Sequence, residues 1–175
     1  MTTYSKIKIA TLCDTPQGDT CSAIATRYYF PDSEIVPSAS FEDAADAVET
    51  GEADRCFVPT GYPMFTRILF RHKIDGIFVH RIPDLVLVGI KNSAPDKSTI
   101  LFHHPAVEPL LPLVDIDFTI RQEATSNTKV CELVLQAGGN ALGITNSAAA
   151  STFGLYRYST LASKVDMPFV LFQKR

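Results

Sequence analysis

Five short clusters in this chain concentrate side chains that could bind or protonate a small molecule. They are Thr20-Cys21-Ser22, the Thr60-Gly61-Tyr62 turn with Arg67 and Arg71 beyond it, the pair His103-His104, Ser126-Asn127-Thr128-Lys129, and Thr145-Asn146. Hydroxyls, amides, imidazoles and a few cations suit proton transfer and anion binding. They do not spell out a metal site. No pair among Cys13, Cys21, Cys56 and Cys131 has metal-ligand spacing, and the four histidines form no zinc pattern. Dinucleotide, P-loop and His-Glu-x-x-His fingerprints are absent. Chemistry without metal or cofactor is expected. The thiols are expected to be reduced and mostly buried, Cys21 included.

Charge narrows the ligand. The 175 residues carry a formal net charge of −3, which gives no electrostatic case for nucleic acid. A mildly acidic chain can hold an anion only through a few placed cations. No apolar stretch approaches the length of a membrane span, and the N-terminus shows no signal pattern, so a cytoplasmic location is expected.

A scaffold must hold those clusters, and the apolar pattern describes one. Strand-like runs alternate with helical periodicity, the mark of α/β architecture. Residues 6–13 read as a buried strand, 14–19 as turns, 20–30 as a helix and 33–37 as a second strand. Ser40 and Asp43 resemble a capping box for a helix with Phe41, Ala44, Ala45 and Val48 on one face, ended by Gly51. Residues 55–58 are a strand stopped by Pro59, and 74–90, broken at Pro83, read as extended chain crossing between lobes. His80-Arg81 is a structural part of that crossing. Further strands are predicted at 98–102, 117–122, 141–145 and 169–172, with short helices at 105–114 and 148–153. Ser126 caps a helix closed by Gly138-Gly139. Mostly parallel sheets are expected, with ligands beyond the carboxyl ends of the strands. Four loops fall there: 14–22, 59–67, 103–105 and 125–129.

Those loops carry a family likeness. Gly51-Glu-Ala-Asp-Arg-Cys-Phe-Val-Pro59 resembles a segment of prephenate dehydratase domains. Phe102-His-His-Pro105 resembles their Ser-His-Pro turn, and Thr125-Ser126-Asn127 sits where they have Ser-Thr at a helix start. Ile144-Thr-Asn146 followed by Phe153-Gly-Leu155 resembles their segment ending in Tyr-Gly-Leu. The resemblance implies a two-lobed α/β domain, similar to type II periplasmic binding proteins, with its active site in the cleft between lobes. It implies one domain over 1–175, with lobe one about 1–80 plus 165–175 and lobe two about 81–164. No regulatory amino-acid-binding domain is expected. The resemblance further implies a small carboxylate substrate, no cofactor and a homodimer.

Three departures redirect the chemistry. The dehydratases' Thr-Arg-Phe in the last strand is matched by Val170-Leu171-Phe172, their Glu-Asn-Ser by Thr60-Gly61-Tyr62, and their Gly-Thr-Phe-Ser by Gly18-Asp-Thr-Cys-Ser22. Val58-Pro-x-x-Tyr62, Arg71, Thr145-Asn146 and Met167-x-Phe169-x-Leu171-Phe172 resemble the non-aromatising prephenate decarboxylases of the bacilysin type instead. In that branch the electrons released with carbon dioxide are trapped by a proton on a ring carbon, and the ring hydroxyl stays. The resemblance implies Tyr62, His104 and Arg71 as catalytic groups. Thr20, Ser22, Thr60, Arg67, Ser126, Asn127, Thr128, Asn146 and Phe169 are the implied substrate contacts, with Lys129 a further cation. Helix starts at 20–22 and 126–128 add backbone N–H donors. Val170 and Phe169 are the expected apolar wall for the departing carboxylate. A dehydratase with a replaced acid, an enzyme on another cyclic acid (a tropone-type one, for example) and a non-catalytic small-acid-binding module are the alternatives.

Overall fold

The computed structural model describes residues 6–116 and 120–175. In chain order the elements begin β1 (Lys8–Leu12), α1 (Cys21–Tyr29), β2 (Glu34–Ser38), α2 (Phe41–Thr50), β3 (Arg55–Pro59), α3 (Phe65–Arg71), β4 (Lys73–Arg81) and β5 (Leu85–Gly89). They continue with β6 (Ile100–His103), a 3-10 helix (Pro105–Leu113), β7 (Ile120–Glu123) and α4 (Asn127–Ala137). Last come β8 (Ala141–Asn146), α5 (Ser147–Thr152), β9 (Tyr156–Ala162) and β10 (Asp166–Gln173). The chain divides into two compact units. One holds the residues up to Gly18, Ser22–His80 and Asp166–Arg175, and the other holds Asp19–Cys21 and Arg81–Val165.

The first unit is built on a sheet of order β2-β1-β3-β10-β4. Local signals fix α2: Ser40 Oγ accepts the Asp43 N–H at 3.0 Å, and Gly51 closes the helix at φ 81°. Its buried face (Phe41, Ala44, Ala45, Val48) packs with Ala10, Cys56, Val58, Val170 and Phe172. Burying a large apolar side chain contributes about 1.5–3 kcal/mol, so this face decides where α2 sits. His72 ties α3 to α2: its ring nitrogens lie 3.2 Å from the carbonyls of Ile68 and Ala45, and Nε2 is 3.1 Å from Glu49. An aromatic cluster fills the other side. Phe57 and Phe169 stack at 5.0 Å, with Phe30 and Phe78 edge-on to Phe57.

The second unit carries the sheet β7-β6-β8-β5-β9. Leu87, Leu101, Leu142 and Ile144 meet Val107 and Leu111 of the 3-10 helix, while Val130 and Val134 of α4 pack with Phe102 and Ala141. Gly143 lets α4 sit close: a Cβ there would lie 2.5 Å from Val130 and 2.8 Å from Val134. All four cysteines are free, and three of them are buried.

Several sequence expectations are corrected. Both sheets are mixed, not mostly parallel. β10 runs antiparallel to β3, and β5 runs antiparallel to both β8 and β9. The extended run over 74–90, by contrast, passes from one unit to the other as expected, as two strands in different sheets. The 59–67 loop ends in a helix, α3, whose single buried residue (Ile68) gave no periodic signal. The 105–114 helix is 3-10, since Pro109 and Pro112 cannot donate to an α-helical ladder. β9 escaped notice because Tyr156, Arg157, Ser159 and Thr160 are exposed on an edge. The strand foreseen at 117–122 is β7 from Ile120 onward, and residues 117–119 lie outside the described residues. No helix among the described residues is long and apolar enough to cross a membrane.

Candidate functional site

In the second unit, parallel pairing of β6 with β7 and β8 aligns three carboxyl ends. That alignment places His103, the Ser126 turn and Asn146 at one end of the sheet. Ser126 Oγ caps α4 by accepting the Lys129 N–H at 3.0 Å. Asn127, first in that helix, sends Nδ2 toward Cys21 Sγ at 3.7 Å, and its carbonyl accepts from Thr145 Oγ1 at 2.8 Å. Thr128 is 8% exposed, and its hydroxyl has no hydrogen-bond partner among the described residues. A buried hydroxyl without a partner is uncommon and costly, and here it stands in the first turn of an 11-residue helix.

Asn146 is fully buried and uses both ends of its amide. Oδ1 accepts from Ala149 N at 2.9 Å to cap α5, and Nδ2 donates to the Asp19 carbonyl at 2.6 Å. Thr152 Oγ1 reaches the Asp19 carboxylate at 2.6 Å. These bonds seat Asp19–Cys21, and Thr20 with them, against the second unit. Burial pushes the Cys21 thiol up to about 12, so it stays protonated at neutral pH and is no nucleophile.

His104 caps the 3-10 helix: its Nδ1 accepts the Ala106 N–H at 3.1 Å. That bond fixes the proton of the neutral ring on Nε2. Burial first, and His103 beside it second, hold its pKa below the ordinary 6.5. At neutral pH it is a hydrogen-bond donor, not a charged acid.

The first unit holds Ser22, Thr60, Tyr62, Arg67, Arg71 and Phe169. Phe169 faces Pro59 across the β3–β10 pair, and the Thr60 N–H donates to the Pro168 carbonyl at 2.9 Å. Met167 packs on Gly61, its Sδ 3.4 Å from where a Cβ would stand. The Tyr62 ring tilts against Phe41 at 4.9 Å, and its hydroxyl donates to Glu42. Burial, then the Glu42 hydrogen bond, raises the phenol well above its usual range. Arg71 is half-exposed and bonds Asp46 at 2.7 Å. Lys129 in the other unit bonds Glu132 at 2.8 Å. Two of the three foreseen cations, Arg71 and Lys129, thus already hold a carboxylate, although exposed pairs of this kind are weak enough to exchange.

The sequence-named residues therefore gather in two groups. Thr20, Ser126, Asn127, Thr128 and Asn146 meet in the second unit, with His104 on the neighbouring strand end. Tyr62, Thr60 and Phe169 meet at the β3–β10 end of the first, with Arg67 and Arg71 on α3. Glu42, Asp19 and Thr152 went unnamed. Their partners lie 20 and 133 residues away, beyond any local pattern.

No protein-family model matches this chain, and no curated protein sequence does. Among solved structures it is similar to the prephenate dehydratase of Arthrobacter aurescens in complex with L-Phe, at TM-score 0.67 and 18% identity, covering 97% of this chain and 61% of that one. It is likewise similar to the prephenate dehydratase of Staphylococcus aureus, at TM-score 0.67 and 13% identity, covering 97% and 67%. A periplasmic substrate-binding protein of an ABC transporter from Coxiella burnetii aligns at TM-score 0.58 and 13% identity, covering 96% and 84%. The chain thus spans 61% of the length of the first of these dehydratases. Its fold is the two-lobed α/β fold that prephenate dehydratase domains share with type II periplasmic binding proteins.

Proposed function

We propose that this chain binds prephenate or a related cyclic carboxylic acid and removes its ring carboxylate as carbon dioxide, leaving the ring hydroxyl in place. The observation that carries the reading is the last strand. Where dehydratases resemble one another in Thr-Arg-Phe, β10 has Val170 and Leu171, 3% and 8% exposed and packed as apolar side chains. A strand so lined supplies no acid to expel hydroxide. It does supply a dry wall, against which a carboxylate loses hydration and carbon dioxide is favoured.

The second unit supports anion binding at the start of α4. The helix dipole and the Thr128 hydroxyl lie together there. Tyr62 is the proton donor of this reading: its one O–H proton is held by Glu42 in the free chain and turns from that carboxylate to the ring carbon when substrate is bound. The C–C bond to the carboxylate breaks, the electron pair enters the diene, and a ring carbon takes the proton.

The test is incubation of purified protein with prephenate near neutral pH, with products identified by mass spectrometry. Carbon dioxide loss with the hydroxyl retained is expected. Phenylpyruvate above the uncatalysed background would restore dehydration. Binding without turnover would favour a small-acid-binding module, a reading to which the carboxylates already on Arg71 and Lys129 lend support.

A further inference from the structure

A hollow of about 580 Å³ opens beside α3 in the first unit, lined by Leu69, His72, Lys73, Ile74 and Arg175. It lies toward the amino end of β3. β10 pairs Phe172 with Cys56 and so carries Arg175 beyond Arg55, whereas Tyr62 follows the opposite end of β3 at Pro59. The decarboxylation proposed above uses none of its residues. A hollow of this volume suits a small molecule. Leu69, half-buried, and Ile74, 42% exposed, give it an apolar wall.

Charge selects the occupant. No carboxylate lines the hollow. Asp75, next along β4, bonds Arg55 at 2.6 Å, and Glu49 bonds His72 Nε2 at 3.1 Å. Both His72 nitrogens are engaged, since Nδ1 lies on the Ile68 carbonyl and Nε2 also meets that of Ala45. Lys174 donates to the Glu49 carbonyl at 2.7 Å and is no part of the site. Polar recognition therefore falls to Lys73 and Arg175, which hold no carboxylate among the described residues. Two such cations on one hollow repel, and an anion between them relieves the repulsion. An arginine fork takes a carboxylate on two parallel bonds, and a lysine adds a point charge. We propose that the hollow is a second ligand site, sharing no residue with the Thr128 and Tyr62 groups, and that it takes a small carboxylic acid with an apolar body. The hydrocarbon lies on Leu69 and Ile74, and the carboxylate meets Lys73 and Arg175.

Titration of the full chain with octanoate, followed by methyl NMR, tests the proposal. The Leu69 and Ile74 methyl signals are expected to move together and to saturate. Octanamide has the same body without the charge, and acetate the same charge without the body. Each should bind at least about tenfold more weakly. Lys73→Met and Arg175→Met keep an apolar stem at exposed positions, so the melting temperature without octanoate should be unchanged. Each should weaken octanoate about tenfold, and the double variant should show no saturation. Equal affinity for octanamide or acetate, indifference to both substitutions, or shifts confined to Val130 near the start of α4 would each overturn the proposal. The methyls read are those of the first unit, so failure here leaves the prephenate reading as it stands, and the reverse holds too.

Discussion

Thr128 and His104 carry the sharpest residue-level expectations. The Thr128 hydroxyl is buried without a partner, so the apoprotein gains nothing from it. Thr128→Val keeps the shape, and the melting temperature should hold or rise, by the equivalent of about 0.5–1 kcal/mol. If that hydroxyl meets the ligand's carboxylate, prephenate affinity in calorimetry should fall roughly tenfold. Unchanged affinity would remove Thr128 from the site. For His104 the sign follows from its lowered pKa. The unfolded chain takes up a proton near pH 6.5 while the folded chain resists it. Stability from this group is complete above pH 6.5 and declines as the pH falls toward the folded value. His80, lowered by burial, acts in the same direction. His104→Asn keeps a capping acceptor without the titration, so urea midpoints should depend less steeply on pH between about 5 and 7. Tyr62→Phe should cost about 10²–10⁴ in kcat if the phenol delivers the proton.

At the scale of elements, fit between α4 and β8 is the feature most open to test. Gly143→Ala forces a methyl into Val130 and Val134, and chemical denaturation should show a loss of about 1–3 kcal/mol. Asn146→Ala removes a helix cap and the tether to Asp19 together, a loss of similar size in the same assay. Elements with self-contained signals were legible in the sequence. Ser40, Gly51, Ser126 and Gly138 mark helix ends by chemistry that acts within four residues. The order of the polar clusters was legible too, because each follows a strand. Elements whose identity depends on distant neighbours were not. α3 buries one residue, β9 is an exposed edge, and the direction of β10 depends on where the chain returns. The same boundary runs through the site. Thr128 could be named at a helix start and Asn146 at a strand end, whereas Asp19 gains its role from Thr152 and Asn146, more than 100 residues on.

For the whole molecule, the order of strands has a consequence for synthesis. β10, the final strand, lies between β3 and β4, with Phe169, Val170, Leu171 and Phe172 paired to Pro59, Val58, Phe57 and Cys56. Deleting residues 166–175 should therefore abolish cooperative unfolding of the first unit's sheet, not trim an end, and loss of the tyrosine near-ultraviolet signal would report it. A chain emerging from the ribosome makes β1 to β4 early, yet their sheet cannot close until β10, more than 80 residues further on, has been made. Through that interval Phe57 and Cys56 face an open slot of strand width, the kind of exposed edge a chaperone would shield. The second unit waits for no such piece. Apart from the three-residue Asp19–Cys21 contribution, it is one continuous stretch that can mature first. Vectorial translation thus sets the half bearing α4 in place before the half bearing Tyr62, and a pulse-labelled nascent chain should acquire protease resistance in that order.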